Sequence, residues 1–518
     1  MKHIRSGIIF GIIGGLFTFL FGGWSVLVIG GFMGLGLGLS LSNSLERKAP
    51  FTLVFETLPA IVISGLVLVV FSLFENSVIE KAIGYHPAAP GIVIPANLVG
   101  FLGGVIFASV LVALHGLSAK QESVGRLALL ALVVVSFPYV DNLTQLRWTA
   151  QIIFALIFVI LGMGLNIVVG YAGLLDLGYA AFFAIGAYTT GILSSPQDNI
   201  FLNFWLVIWI AAAVAAVAGL LLGAPTLPLR GDYLAIVTLG FGEIIPVVFR
   251  NLTEVTIHEP LTCWILPGLE RLFGSATTTS CIVFAEKLNV TNGELGINPI
   301  GRPALPIIGT FTSDNSIPWY YLIIAIILLT IFLVNRLRES RIGRAWMAIR
   351  EDELAAAQMG IDPVRTKLLA FSMGATFSGF AGAFYAAYIA GIFPSAFEFS
   401  TSIIILCAVI LGGIGNIYGV IVGGLVIMTA DRLFLPALKD FLSKLMDHTI
   451  LPSLASNHTL HDIVAQNANP ILYRYLLFGL TLVIMMAIRP EGLLPNAQRR
   501  MELHEAEDAP NVAASKNG

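Results

Sequence analysis

The chain has 518 residues, of which 57% are hydrophobic and 11% charged, with 52 glycines and a formal net charge of -3. So apolar a composition excludes a soluble multidomain protein. The absence of a basic tract or of aromatic-basic alternation excludes nucleic acid as a partner.

In chain order, apolar runs fall at about 7–21, 24–41, 51–74, 92–115, 124–140, 147–169, 177–193, 203–223, 232–249, 318–335, 368–392, 398–412, 415–430 and 471–488. This pattern predicts an all-α, polytopic helical membrane protein with about 10–14 membrane segments, some of them short or re-entrant. MKHIRS opens like a secretory leader, but the apolar stretch continues to Leu41 without a small-residue cleavage site, so it is read as a retained anchor. Basic residues concentrate on the cytoplasmic side of membrane proteins. Placing Lys2 and Arg5 there and alternating the runs puts Arg47, Lys120, Arg126, Arg230 and Arg489 on that side as well. Both termini are then cytoplasmic, provided that GGIGNIYG turns the chain back between 398–412 and 415–430. Residues 1–145 carry no motif and read as a variable N-terminal region. Residues 146–495 read as the core, and 496–518 as a polar cytoplasmic tail.

From Gln151 the sequence becomes distinctive. Small residues spaced for close helix packing surround a broken middle, Gly170 to Gly178, which holds Tyr171 and Asp176. A carboxylate between apolar runs is costly in a bilayer and marks a functional candidate, although aspartate also caps helices well. Asn166 is either a packing hydrogen bond between helices or a pathway group. Further on, LRGDYLAIVTLGFGEII places Glu243 inside an apolar segment, so Asn166, Tyr171, Asp176 and Glu243 form the candidate translocation path.

One stretch is the reverse of apolar. Arg336 to Lys367 holds seven basic and five acidic residues between two membrane runs. Within it, EDELAAAQMG predicts a short helix: acidic residues suit its N-terminal end, and Gly360 followed by Pro363 stops it. Helical spacing puts Glu353, Ala356, Ala357 and Gly360 on one face, a small-residue peg for a groove in another protein.

The pattern E-L-A-A-A-x-x-G between two spans resembles the cytoplasmic loop of ABC importer permeases. The longer strings GRAWMAIREDELAAAQMGIDPVRTKLLAFSMGATFSGFAGAFYA, NIVVGYAGLLDLGYAAFFAIGAY, LRGDYLAIVTLGFGEII and ILCAVILGGIGNIYGVIVGG are similar, in order, to the M-type permease of branched-chain amino acid importers. The resemblance implies that Glu353, Ala355, Ala356 and Gly360 couple to a separate ATPase. It also implies a second, H-type permease subunit, two ABC ATPase subunits carrying ATP and magnesium, and an extracytoplasmic substrate-binding protein. The implied setting is the bacterial cytoplasmic membrane, and the implied substrates are branched-chain amino acids. Related permeases carry urea, amides or other amino acids.

Two interruptions depart from the family pattern, near 256–290 and 431–470. The first holds Cys263 and Cys281, which on this topology face an oxidising exterior and could close a disulfide or remain free thiols. The second holds His458 and His461 without a carboxylate or cysteine at ligand spacing, so a solvated loop is expected there and no metal site. Both read as widening the platform for a binding protein.

No G-x-x-x-x-G-K-[ST], H-E-x-x-H or G-x-S-x-G occurs. The chain is therefore expected not to be an enzyme and to hold no cofactor of its own. Two classes of function compete: one permease half of an ATP-driven importer, or an ion-coupled secondary transporter using Asp176 and Glu243. The charged island favours the first.

Overall fold

The computed structural model describes residues 119–144, 148–195, 202–226, 232–253, 289–305, 309–312, 314–436, 439, 470–488 and 492–494. The chain divides into two compact units, Met1–Ala150 with Lys439–Asn469, and Gln151–Leu438 with Pro470–Gly518. The expected apolar runs before residue 116, both insertions apart from their margins, Cys263, Cys281, His458, His461 and the C-terminal tail lie outside the described residues.

In the first unit, helix α1 (Ala119–Thr144) ends beside the start of α2 (Trp148–Leu165). The Asp141 carboxylate accepts hydrogen bonds from the backbone N–H groups of Trp148 and Thr149 at 2.9 and 2.8 Å and so caps α2, whose first donors have no partner within the helix.

The second unit is a helical bundle. After α2 come a π-helical turn (Asn166–Tyr171), α3 (Tyr179–Ser194), α4 (Phe204–Gly223), α5 (Asp232–Asn251) and α6 (Ser316–Glu339). The charged island follows as α7 (Arg341–Glu351) and α8 (Glu353–Gln358). Beyond it lie α9 (Pro363–Ile389), α10 (Phe399–Gly412), α11 (Ile417–Thr429, continued by the π-turn Ala430–Phe434) and α12 (Arg474–Ile488). Among the described residues, seven helices are long and apolar enough to cross a bilayer, and three further apolar helices are shorter, among them Tyr179–Ser194. The protein is polytopic and helical, with a two-stranded antiparallel hairpin, β1 (Ala304–Leu305) and β2 (Gly309–Thr310), as its strand content among those residues.

Helix α9 is the spine, with α3 and α4 packed along it. Lipid tails are as apolar as leucine, so helices in a bilayer associate through close contact rather than through release of water. Small residues provide that contact: a Cβ placed on Gly186 of α3 would fall 2.6 Å from the Cα of Gly379 in α9, and one on Gly379 would fall 2.8 Å from the Ala215 Cβ in α4. Across the same seam the Tyr179 hydroxyl donates to the Gly374 carbonyl at 2.8 Å. A second cluster, built on Ala155, Ala408, Ile427, Met428 and Phe478, joins α2, α10, α11 and α12.

The helix ends gather at two levels. At one, residues 289–305 and 309–312 close over the bundle: Ile297 pairs with Ile392 after α9, Gly301 N–H bonds to Ser194 at the end of α3, and the Trp205 indole of α4 bonds to Ala304. At the other lie the end of α2, the start of α3, the island and the turn between α10 and α11. The chemistry-bearing residues collect at this second level.

Candidate coupling site

The island is built so that a six-residue helix holds one orientation. Asp352 stands at its N-cap, with its carboxylate accepting from the N–H groups of Leu354 and Ala355 at 2.8 and 3.0 Å. Gly360 ends it at φ +86°, a left-handed conformation that costs an L-residue about 1–2 kcal/mol. No atom lies within 4 Å of the place a Cβ would take there, so backbone conformation, not space, calls for glycine. Asp362 and Pro363 then start α9 with a second cap, Val364 N–H donating to Asp362 at 3.0 Å.

Three side chains fasten the island to the bundle. The Lys367 ammonium, in the first turns of α9 and nearly inaccessible, pairs with Glu353 of α8 at 2.7 Å. The fully buried Trp346 of α7 donates its indole N–H to the Thr366 carbonyl at 2.8 Å. Arg350, the last basic residue of α7, donates from Nη1 to the Gly170 carbonyl in the π-turn of α2, also at 2.8 Å. The fit there is close: Gly173 sits at φ +71°, and a Cβ on it would lie 2.9 Å from the Arg350 Cγ.

These fastenings decide which face of α8 is free. The expected peg face is Glu353, Ala356, Ala357 and Gly360, but in the structure part of it turns toward the bundle. Ala356 is buried and Glu353 is held by Lys367, whereas Gly360 on the same face is exposed, as is Ala355. The free face is larger and more apolar than the predicted peg. Leu354 is 66% exposed, and Met359, at 84%, is the most exposed large apolar side chain among the described residues. Neither stood out in the sequence, nor did Arg350 or Lys367. The signal available was their place, Leu354 inside the E-L-A-A-A motif and Arg350, Met359 and Lys367 within about ten residues of it.

The π-turn continues the connection inward. An extra residue per turn frees backbone groups for outside partners, and such turns recur at functional sites. Asn166, with no exposure, accepts from the Gly415 N–H at 2.8 Å and so ties α2 to the turn between α10 and α11. Its oxygen thus makes a packing hydrogen bond between helices, while its buried Nδ2 has no protein partner. The same turn receives the chain again near its C-terminal end, where Leu493 and Leu494 donate to the carbonyls of Leu411 and Gly412. Tyr171 is 2% exposed.

Asp176 lies in the connection between α2 and α3. One carboxylate oxygen accepts from the Gly178 N–H at 2.9 Å, and the other has no protein partner. Beside it the Thr238 hydroxyl of α5 accepts from the Leu177 N–H at 3.0 Å. A cleft lined by Asp176, Phe182, Leu222, Thr238, Phe241 and Phe371 opens at this point. Burial pushes the carboxyl up from 3.8 to about 7, and the Gly178 bond opposes the shift without cancelling it. Asp176 thus both shapes the entry to α3 and keeps a titratable oxygen in the cleft. Glu243 does not join these three. It projects from the outward face of α5, so the four candidate pathway residues do not line one chamber within this chain. Cys407 is buried and free within α10, where it packs as a small side chain.

Fold and site together define a polytopic helical membrane protein: a small-residue helical bundle with one charged, capped and fastened excursion that offers an apolar tip outside the membrane spans. The family model described as branched-chain amino acid transport system / permease component matches residues 147–486. The chain belongs to that family. It is 36% identical over 397 residues to the high-affinity branched-chain amino acid transport system permease protein LivM of Escherichia coli strain K12, covering 76% of this chain and 80% of that protein. A probable branched-chain amino acid transport permease protein LivM of Methanocaldococcus jannaschii is 22% identical over 345 residues, 65% of this chain and 90% of that one. The Salmonella typhimurium protein LivH, a permease of the same high-affinity system, is 33% identical over 124 residues, 24% of this chain and 39% of its own length. No solved structure matches.

Proposed function

We propose that this chain is one of two permease subunits in an ATP-binding-cassette importer for branched-chain amino acids, with the core at 146–495. The island docks on an ATPase subunit through Leu354, Ala355, Met359 and Gly360. The single observation that carries this reading is the apolar tip of α8, exposed outside the spans on a helix whose other face is pinned by the Glu353–Lys367 pair and the burial of Ala356. An apolar side chain held out in this way suits a groove on another protein.

The mechanism follows from the fastenings. A push on α8 moves α7 and α9 with it, because Glu353–Lys367 and Trp346–Thr366 join the three. Arg350 passes the displacement to the Gly170 carbonyl, and Asn166 passes it to the turn before α11. Closely packed small-residue seams such as Gly186 against Gly379 let the helices shift as units, as alternating access requires. ATP and magnesium are held by the partner ATPases and supply the energy. On this reading the island and both termini lie on the cytoplasmic side of a bacterial inner membrane, and residues 289–305 and 309–312 on the side that receives a substrate-binding protein. A second permease of the LivH kind completes the channel.

Replacing Met359 and Leu354 with aspartate tests the docking face. Both side chains are exposed, so membrane insertion should be unchanged while co-purification of the ATPase is lost. Undiminished co-purification and uptake would contradict the proposal.

A further inference from the structure

We propose that the outward face of α5, centred on Glu243, is the surface against which the second permease subunit packs. This rests on the reading of the chain as one of two permeases. Helix α5 is the least enclosed of the seven membrane-spanning helices. Its inner side is committed to this chain: a Cβ on Gly242 would fall 2.9 Å from the Cα of Gly178, Leu234 and Ala235 are buried, and Thr238 bonds to Leu177. The opposite side is bare. Tyr233 is 72% exposed and Ile236 63%, and Val247 and Val248 continue the same open surface.

Such a surface would ordinarily meet lipid. Glu243 argues against that here, because it lies near the middle of the Tyr233–Asn251 span and is exposed on this same face. A carboxylate at mid-span in hydrocarbon has nothing to solvate it, and such groups turn to protein or to a water-filled path. Three residues before it, on the same face, Gly240 has no atom within 4 Å of the position of a Cβ. The notch sits beside the carboxylate and permits a neighbouring helix to approach closely enough to reach it. The outward faces of α4 differ. Leu206, Val217 and Leu221 are exposed there without any carboxylate among them, as lipid-facing positions should be. The occupant that fits α5 is therefore a transmembrane helix presenting a cationic or hydrogen-bond-donating side chain at mid-bilayer depth. In a two-permease importer the second permease is the membrane-spanning subunit placed to present such a helix.

The test uses photo-crosslinking in membranes that express the whole importer. Benzoylphenylalanine is introduced singly at Ile236 and Val247 on the proposed surface, and at Val217 and Leu221 of α4 as controls. The expected result is a covalent adduct with the second permease from the two α5 positions and lipid adducts alone from the two α4 positions. Glu243→Leu should abolish the α5 adducts, and Glu243→Gln, which keeps a polar group, should retain them in part. Lipid adducts at both α5 positions, or adducts only with residues 1–118 of this chain, would overturn the proposal. ATP-driven uptake by the unlabelled importer is measured in the same membranes. Uptake without the α5 adduct refutes the surface alone, whereas loss of ATP dependence with the adduct present refutes the importer reading alone.

Discussion

Single residues carry the coupling site, and their effects are separable. Lys367 and Glu353 meet at 2.7 Å with the lysine nearly inaccessible, so removing the glutamate leaves a buried ammonium without this carboxylate. A charge-assisted hydrogen bond of this kind contributes about 2 kcal/mol. A double-mutant cycle with Lys367→Met and Glu353→Gln, read as thermal stability in detergent, should show a coupling of that order, and strict additivity would contradict the pairing. Asp176 makes a prediction about pH. Its folded-state value, about 7, lies above the unfolded 3.8, so the folded chain binds this proton more tightly. Its contribution to stability is full below the unfolded value and is lost as pH rises through about 7. Asp176→Asn should flatten the decline in melting temperature between about pH 5 and pH 7, and an unchanged slope would show that the carboxyl is not the group responsible.

Elements show how far the sequence could be read. The apolar runs at 147–169, 203–223, 318–335 and 368–392 correspond to α2, α4, α6 and α9, because length and hydropathy alone distinguish a span. The short island helix was legible from its caps, Asp352 before it and Gly360 after it. Its orientation was not. Periodicity states which residues share a face but not which face is buried, and the partner that holds Glu353 is a lysine in the next helix. The π-turn was likewise hidden, since no residue pattern in NIVVGY announces an extra residue per turn. The link that makes the site a unit, Arg350 to Gly170, joins positions 180 apart in the chain, which no local rule reaches. Helix packing offers a direct check at this scale. Gly379→Val places a branched side chain where the Ala215 Cβ already lies within 2.8 Å of a Cβ, so α4 must separate from α9. Size-exclusion profiles should show loss of the folded species, and a native profile with unchanged melting would mean that the seam is looser than described.

For the molecule as a whole, the two levels of helix ends divide the work. One end is closed by residues 289–305 and 309–312, and the other gathers the island, the π-turn and the glycine-rich turn into one connected block. A bundle arranged in this way would convert a push at one point into movement of several helices, and on the proposed function the push comes from a partner ATPase. The most direct measurement is leucine uptake into proteoliposomes that hold this chain, the second permease and both ATPases, with binding protein outside. The account predicts uptake that requires ATP, stops with vanadate, ignores ionophores and disappears with Met359→Asp. Uptake by this chain alone, driven by an ion gradient and stopped by ionophores, would contradict it.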